Sequence, residues 1–153
     1  MLESKKSSRS DVQRSIQEIM FKKIREILGN TDLVCDEKIP IVNVEKTYIC
    51  PDFYSEEGKV IGEIHAHAGG LKKAQHDKIA GDVLKMLLYE KSRGCEFKKY
   101  IAVCCREEYE QLTGASYLAE AMRQFGVSVL LVDIPEDAYR RLQECMKKQN
   151  LIK

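Results

Sequence analysis

Apolar residues recur at three- and four-residue intervals from Val12 through Ile16, Ile19, Met20 and Ile24 to Ile27. That spacing marks one face of an amphipathic helix. Ser10 or Asp11 is the expected cap, residues 1–10 are expected to form a disordered tail, and Gly29-Asn30 is the expected stop. Residues 33–37 and about 41–45 read as short extended pieces broken at Pro40. A second long helix is predicted over about 74–92, with Ile79, Val83, Met86 and Leu87 on one face and Gly94 closing it. Residues 100–105 are almost continuously apolar, as in a strand buried on both faces, and 127–134 repeat the pattern. A helical stretch over 107–124, interrupted near Gly114, separates these two strands, and Pro135 opens a last helix over 136–149.

Between the first two helices, residues 48–54 and 60–65 read as two half-buried strands joined by a tight hairpin. With Glu57-Gly58 as a two-residue turn, Glu56 stands opposite Lys59, so Asp52 faces Glu63 and Cys50 faces His65. Opposed residues have Cβ atoms roughly 4.5–5.5 Å apart. Two carboxylates that close repel unless a cation or a shared proton lies between them. Asp52 against Glu63, with His65 next on the same face, is therefore a candidate divalent-metal site. A slip of one residue would send Glu63 and His65 to the other face. Ile49, Phe53, Val60, Ile64 and Ala66 form an apolar alternate face. Asp52, Glu63 and His65 share theirs with Cys50, Tyr54 and Ile61, which points to a cleft rather than open solvent.

The order is helix, two or three antiparallel strands, then helix, strand, helix, strand, helix. It predicts an α/β fold with a central mixed sheet, an antiparallel hairpin meander and flanking helices, the later strands running parallel. At 153 residues the length fits one domain, here 11–153. No apolar run approaches the roughly 18–20 residues of a membrane span. Residues 1–10 are polar and basic without a hydrophobic core, so no secretory signal is expected and the expected location is cytoplasmic. Cys35, Cys50, Cys95, Cys104, Cys105 and Cys145 form no C-x-x-C pair and are expected to be reduced, several as small core residues. A net charge of +1 gives no global sign of nucleic-acid binding. Local basic groups stand at Lys5-Lys6 with Arg9, Lys22-Lys23, Lys72-Lys73 with Lys78, and Lys98-Lys99; only the Lys72–Lys78 group directly follows the acidic hairpin.

This order of elements, with Pro51-Asp52 on one hairpin strand and Glu63-Ile64-His65 on the next, resembles the PD-(D/E)XK nuclease superfamily, the restriction-endonuclease-like fold. The resemblance covers about residues 11–134, mostly as topology. It implies phosphodiester hydrolysis of DNA or RNA with Mg²⁺ or Mn²⁺ held by Asp52, Glu63 and the backbone carbonyl of Ile64. It also implies an acidic or polar partner on the first helix, for which Glu18 and Glu26 are candidates. The family has lysine where this chain has His65; that lysine orients or deprotonates the attacking water and stabilises transition-state charge. Histidine can act as a base or bind the metal, and Lys72, Lys73 and Lys78 are candidates for both the missing lysine and phosphate contacts, Lys73 as the catalytic one. Gln75 falls roughly where some exonuclease-like relatives carry a glutamine. The alternative is a catalytically degenerate member of the fold that binds nucleic acid or protein.

A rival chemistry rests on the histidines. His65 and His67 alternate on a strand and so share a face with Glu63, a Glu/His/His set suited to a zinc or manganese hydrolase acting on a small molecule. The third histidine, His76, lies near a helix start, where a solvated or capping role is the ordinary one.

Overall fold

The computed structural model describes residues 2–30 and 32–151, with side chains described over 11–30 and 32–149. Helix α1 (Leu2–Leu28) leads into β1 (Val34–Cys35), β2 (Ile39–Pro40), β3 (Tyr48–Ile49), β4 (Phe53–Ser55) and β5 (Val60–His65). Then come α2 (Lys73–Arg93), β6 (Lys98–Val103), α3 (Arg106–Leu112), α4 (Tyr117–Gln124), β7 (Val127–Leu131) and α5 (Glu136–Leu151). Strands β1-β4-β5-β6-β7 form one five-stranded sheet, and β2 with β3 forms a separate antiparallel pair. The sheet is mixed: β1, β4 and β5 are antiparallel, whereas β5, β6 and β7 run parallel.

The sheet divides the core into two layers. On one side Phe53, Val60, Ile64 and Ala102 pack against Ile16, Met20 and Ile24 of α1 and Ala138 and Leu142 of α5. On the other, Tyr54, Ile61, Ile101 and Val103 pack against Ile79, Val83 and Met86 of α2, with Leu112 of α3 and Leu118 and Met122 of α4. β6 (KKYIAV) contributes to both layers, which is why its stretch from Tyr100 to Val103 is apolar without alternation. The α1 stripe is buried as far as Ile24, and Ile27 is exposed. Its backbone is helical through Ser10 and Asp11, so neither is a helix start; the side chains of residues 1–10, where a tail is expected, lie outside the described ones. Cys104, Cys105 and Cys145 are buried, and Cys35, Cys50 and Cys95 are exposed; all six are free thiols.

The expected strand over 48–54 is in fact two. Pro51 has no N–H to donate to a ladder, and the chain bends at Asp52. Tyr48 and Ile49 pair with Pro40 and Ile39 instead. This moves Ile49 into the α2-side core, away from Phe53, and leaves Cys50 exposed rather than facing His65. Pro40, expected to break an extended piece, lies inside β2, where a two-stranded ribbon has a free edge. The hairpin register is Phe53↔Gly62, Tyr54↔Ile61 and Ser55↔Val60, the register that a Glu57-Gly58 turn implies. The connection, however, is a four-residue turn over 56–59, and the left-handed residue is Lys59 (φ 54°). Ser55 Oγ accepts from the Gly58 N–H at 2.9 Å and donates to Asp32 at 2.8 Å, closing the turn. Arg93 at the end of α2 then ties it down, donating to both Glu56 carboxylate oxygens at 2.7 and 2.8 Å and to Tyr89 at 2.6 Å.

Gly62 is required by its neighbour. Phe53 lies across it to stack on Tyr100 of β6, ring centroids 6.4 Å apart, and a Cβ on Gly62 would come within 2.0 Å of the Phe53 ring. Gly62→Ala is expected to destabilise the protein by about 1–3 kcal/mol, with Phe53→Leu in the same chain recovering part of the loss. Urea unfolding of the single and double variants checks this; additive losses would show that the ring is not the cause.

Candidate metal centre

The bend at Asp52 creates the site. One step beyond the last ladder pair, Phe53↔Gly62, Asp52 no longer lies in β4, and its carboxylate takes over a task of the missing strand backbone. Asp52 Oδ2 accepts the Ile64 N–H of β5 at 2.7 Å. Along β5, Ile61, Glu63 and His65 face the α2 side and Gly62 and Ile64 the α1 side, as strand alternation requires. Asp52 stands at the seam. Its charge acts on Glu63 on one side, and it lines a cavity of about 480 Å³ beneath α1 on the other, together with Ile64, Glu18, Arg14 and Lys22. Glu26 is exposed and does not line that cavity.

Glu63 is 8 % exposed and Asp82 of α2 is 6 % exposed. Burial and the neighbouring Asp52 carboxylate push the Glu63 pKa up to about 9, with Asp82 adding to the shift and Lys85 opposing it. Burial also raises Asp82, against the pull of Lys78 and Lys85. Those two ammonium groups lie 3.8 and 3.6 Å from the Asp82 carboxylate, four residues before and three after it on the helix. Lys78 therefore stands at the acidic site, where its charge also bears on His65.

His65 is buried, and burial, helped by the charges of His67 and Lys78, depresses its pKa to about 3, so the ring is neutral. Its expected companions are His67 and Glu63, but the carboxylate that joins the two histidines is Glu108 of α3. Glu108 Oε2 is 2.5 Å from His67 Nδ1 and 3.7 Å from His65 Nε2. These three side chains bring their donor atoms within 4.8 Å of one another and could hold a metal ion. Burial raises the Glu108 pKa, and the hydrogen bond with His67 opposes that rise.

Lys72, Lys73 and Gln75 do not line the Asp52 cavity. They line another, of about 410 Å³, together with His67, Gly70 and Met146. Gln75 caps α2 by accepting the Lys72 N–H at 3.0 Å. His76 packs edge-on against Tyr117, ring centroids 5.3 Å apart. Residues not singled out in the sequence are Asp82, Lys85, Glu108 and Arg14. Asp82 had a signal: it interrupts the apolar stripe of Ile79, Val83 and Met86, where an acid is out of place. Glu108 had a weaker one, four residues before the buried Leu112 on the inner face of a short helix.

No family model, curated protein or solved structure matches this chain. Among the described residues no helix is long and apolar enough to cross a membrane.

The buried Glu63 gives a pH-dependent stability of known sign. Its folded pKa lies above the ordinary glutamate value of 4.5 that applies in the unfolded chain. Between these values the folded state holds a proton that the unfolded chain releases, so stability falls as pH rises towards 9. The depressed His65 adds a slope of the opposite sign that fades by about pH 8, where it is neutral in both states. In EDTA, Glu63→Gln is expected to raise the thermal midpoint at pH 8.5 by at least about 3 °C and to flatten its decline from pH 7 to 9. Equal slopes in the two proteins would mean that Glu63 is ionised in the fold.

Proposed function

We propose that this chain hydrolyses nucleic-acid phosphodiesters with Mg²⁺ or Mn²⁺, as its resemblance to the PD-(D/E)XK nucleases implies, where β4 bends away from β5. The observation supporting this reading is the position of Asp52. It is bonded to the β5 backbone at Ile64, acts electrostatically on Glu63, and opens on a cavity that carries Glu18, Arg14 and Lys22. Asp52, Glu63 and the Ile64 carbonyl would hold the metal. All are hard oxygen donors, which suit Mg²⁺ or Mn²⁺ with several waters retained. Bound there, the ion would polarise a phosphoryl oxygen and lower the pKa of a coordinated water.

The protein's own groups supply the rest. Arg14 and Lys22 on α1 would neutralise backbone phosphates, and Glu18, which lines the same cavity, would offer a further acceptor. His65 is neutral and buried, so it does not replace the cationic lysine of the family. Lys78, beside Asp82, takes that part in this reading, with Lys85 next to it. Lys72 and Lys73, on the cavity beside His67, would meet phosphates farther along the strand. The neutral His65 in the lysine's place is also what favours the second reading, a degenerate member of the fold that binds nucleic acid without cutting it.

Single-stranded and duplex DNA and RNA with Mn²⁺ test both. Asp52→Ala and Glu63→Ala are expected to lower cleavage at least about 100-fold, and Lys78→Ala by about 10–100-fold, the scale of one electrostatic group acting on the transition state. Equal cleavage by wild type and Glu63→Ala would assign the activity to a contaminant. Retention of nucleic acid in a mobility-shift assay without cleavage would leave the binding module.

A further inference from the structure

We propose that His65, His67 and Glu108 form a Zn²⁺ site separate from the carboxylates of Asp52 and Glu63 and independent of the nuclease reading. Two elements separated in the chain by α2 and β6 build it. β5 ends at His65, and the His67 N–H turns back to the His65 carbonyl at 3.1 Å, which sets the two imidazoles on one side, ring centroids 5.5 Å apart. Glu108, in the first turns of α3 and fully buried, closes the third corner.

The hydrogen bond between His67 and Glu108 accounts for only part of this cluster. His65 Nε2 and Glu108 Oε1 are both buried and neither has a hydrogen-bond partner; among the described residues they are the two side-chain atoms in that condition. Buried polar atoms are ordinarily satisfied, and an orphan calls for an explanation such as an ion. One metal ion would use the His65 nitrogen and the carboxylate together. Ligands about 2.0–2.1 Å from a tetrahedral zinc lie roughly 3.3–3.4 Å from one another. The observed separations of 2.5 and 3.7 Å from Glu108 Oε2 bracket that spacing. Two imidazoles and a carboxylate suit zinc and are poor company for Mg²⁺. His67 also lines the 410 Å³ cavity, which leaves a route for water to a fourth position.

Such an ion would staple the segment after β5 to α3, the same two elements that the Leu71 N–H joins by donating to Gln111 at 2.8 Å. Zinc binding to the folded state alone would raise the thermal midpoint with zinc concentration. The test titrates metal-stripped full-length protein with Zn²⁺ by calorimetry and with Co²⁺ by visible absorption. Wild type is expected to take up one equivalent of Zn²⁺ and to give the intense Co²⁺ bands of a low-coordinate site. His67→Asn and Glu108→Gln, each shown folded by circular dichroism, should weaken Zn²⁺ by more than the roughly 10–100-fold that loss of an outer partner costs. Asp52→Asn should keep wild-type Zn²⁺ affinity, whatever it does to Mn²⁺-dependent cleavage. No zinc uptake by wild type, unchanged affinity in both His67→Asn and Glu108→Gln, or loss of zinc in Asp52→Asn instead would each overturn the site.

Discussion

The hydrogen bond from the Ile64 N–H to the Asp52 carboxylate is the constraint on which the site is built. Pro51 ends the β4 ladder, and without a substitute acceptor the inner strand β5 would carry an unpaired N–H at the point of divergence. A side-chain oxygen fills that place. Because the carboxylate and not the backbone completes the strand, the preceding residues are free to pair elsewhere, as β3 does with β2. The same substitution brings a negative charge to the Glu63 carboxylate in a layer otherwise filled by Tyr54, Ile61 and Val83. Fold and electrostatics are thus set by one contact.

β5 then presents two kinds of donor in sequence. Glu63 has Asp52 and Asp82 as neighbours and is answered by the lysines of α2, whereas the buried His65 has the His67 ring and the Glu108 carboxylate as its neighbours. Separate elements supply the answering groups, α2 for Glu63 and α3 for His65, so the two environments differ although the residues are two apart on one strand. The layer pays for this with polar atoms in its core, and the tyrosine and arginine network at Glu56 shows the opposite arrangement, in which every partner is matched.

Much of this was legible in the sequence. The period-2 pattern and the Glu-Gly turn specified the hairpin register even though the turn itself is longer, because Ser55↔Val60 fixes the same alignment whichever residue takes the left-handed angle. Helical stripes located α1 and α2, and unbroken apolarity located β6. What stayed hidden depended on contacts between residues distant in the chain. Glu108 lies 41 residues from His67, and only its spacing of four from Leu112 sets it apart from the exposed Glu107 beside it. The strand break at Pro51 was written in the sequence, but its effect required knowing that β2 offered Tyr48 and Ile49 another partner. The lysines following the hairpin look equivalent in sequence; only five residues of α2 separate Lys73, on the His67 cavity, from Lys78, on the acidic site.

The thiols give the cleft a reporter of its own. Cys35 is exposed and lines the cavity under α1 together with Asp52. Burial and the nearby Glu108 push the Cys104 thiol up to about 12, so it stays protonated and unreactive beside the histidines. A thiol-directed fluorophore or spin label therefore distinguishes the two neighbourhoods without any engineered cysteine, provided Cys50 and Cys95, also exposed, are first replaced. A label at Cys35 would watch the mouth of the acidic cavity while leaving the chemistry around His65 untouched.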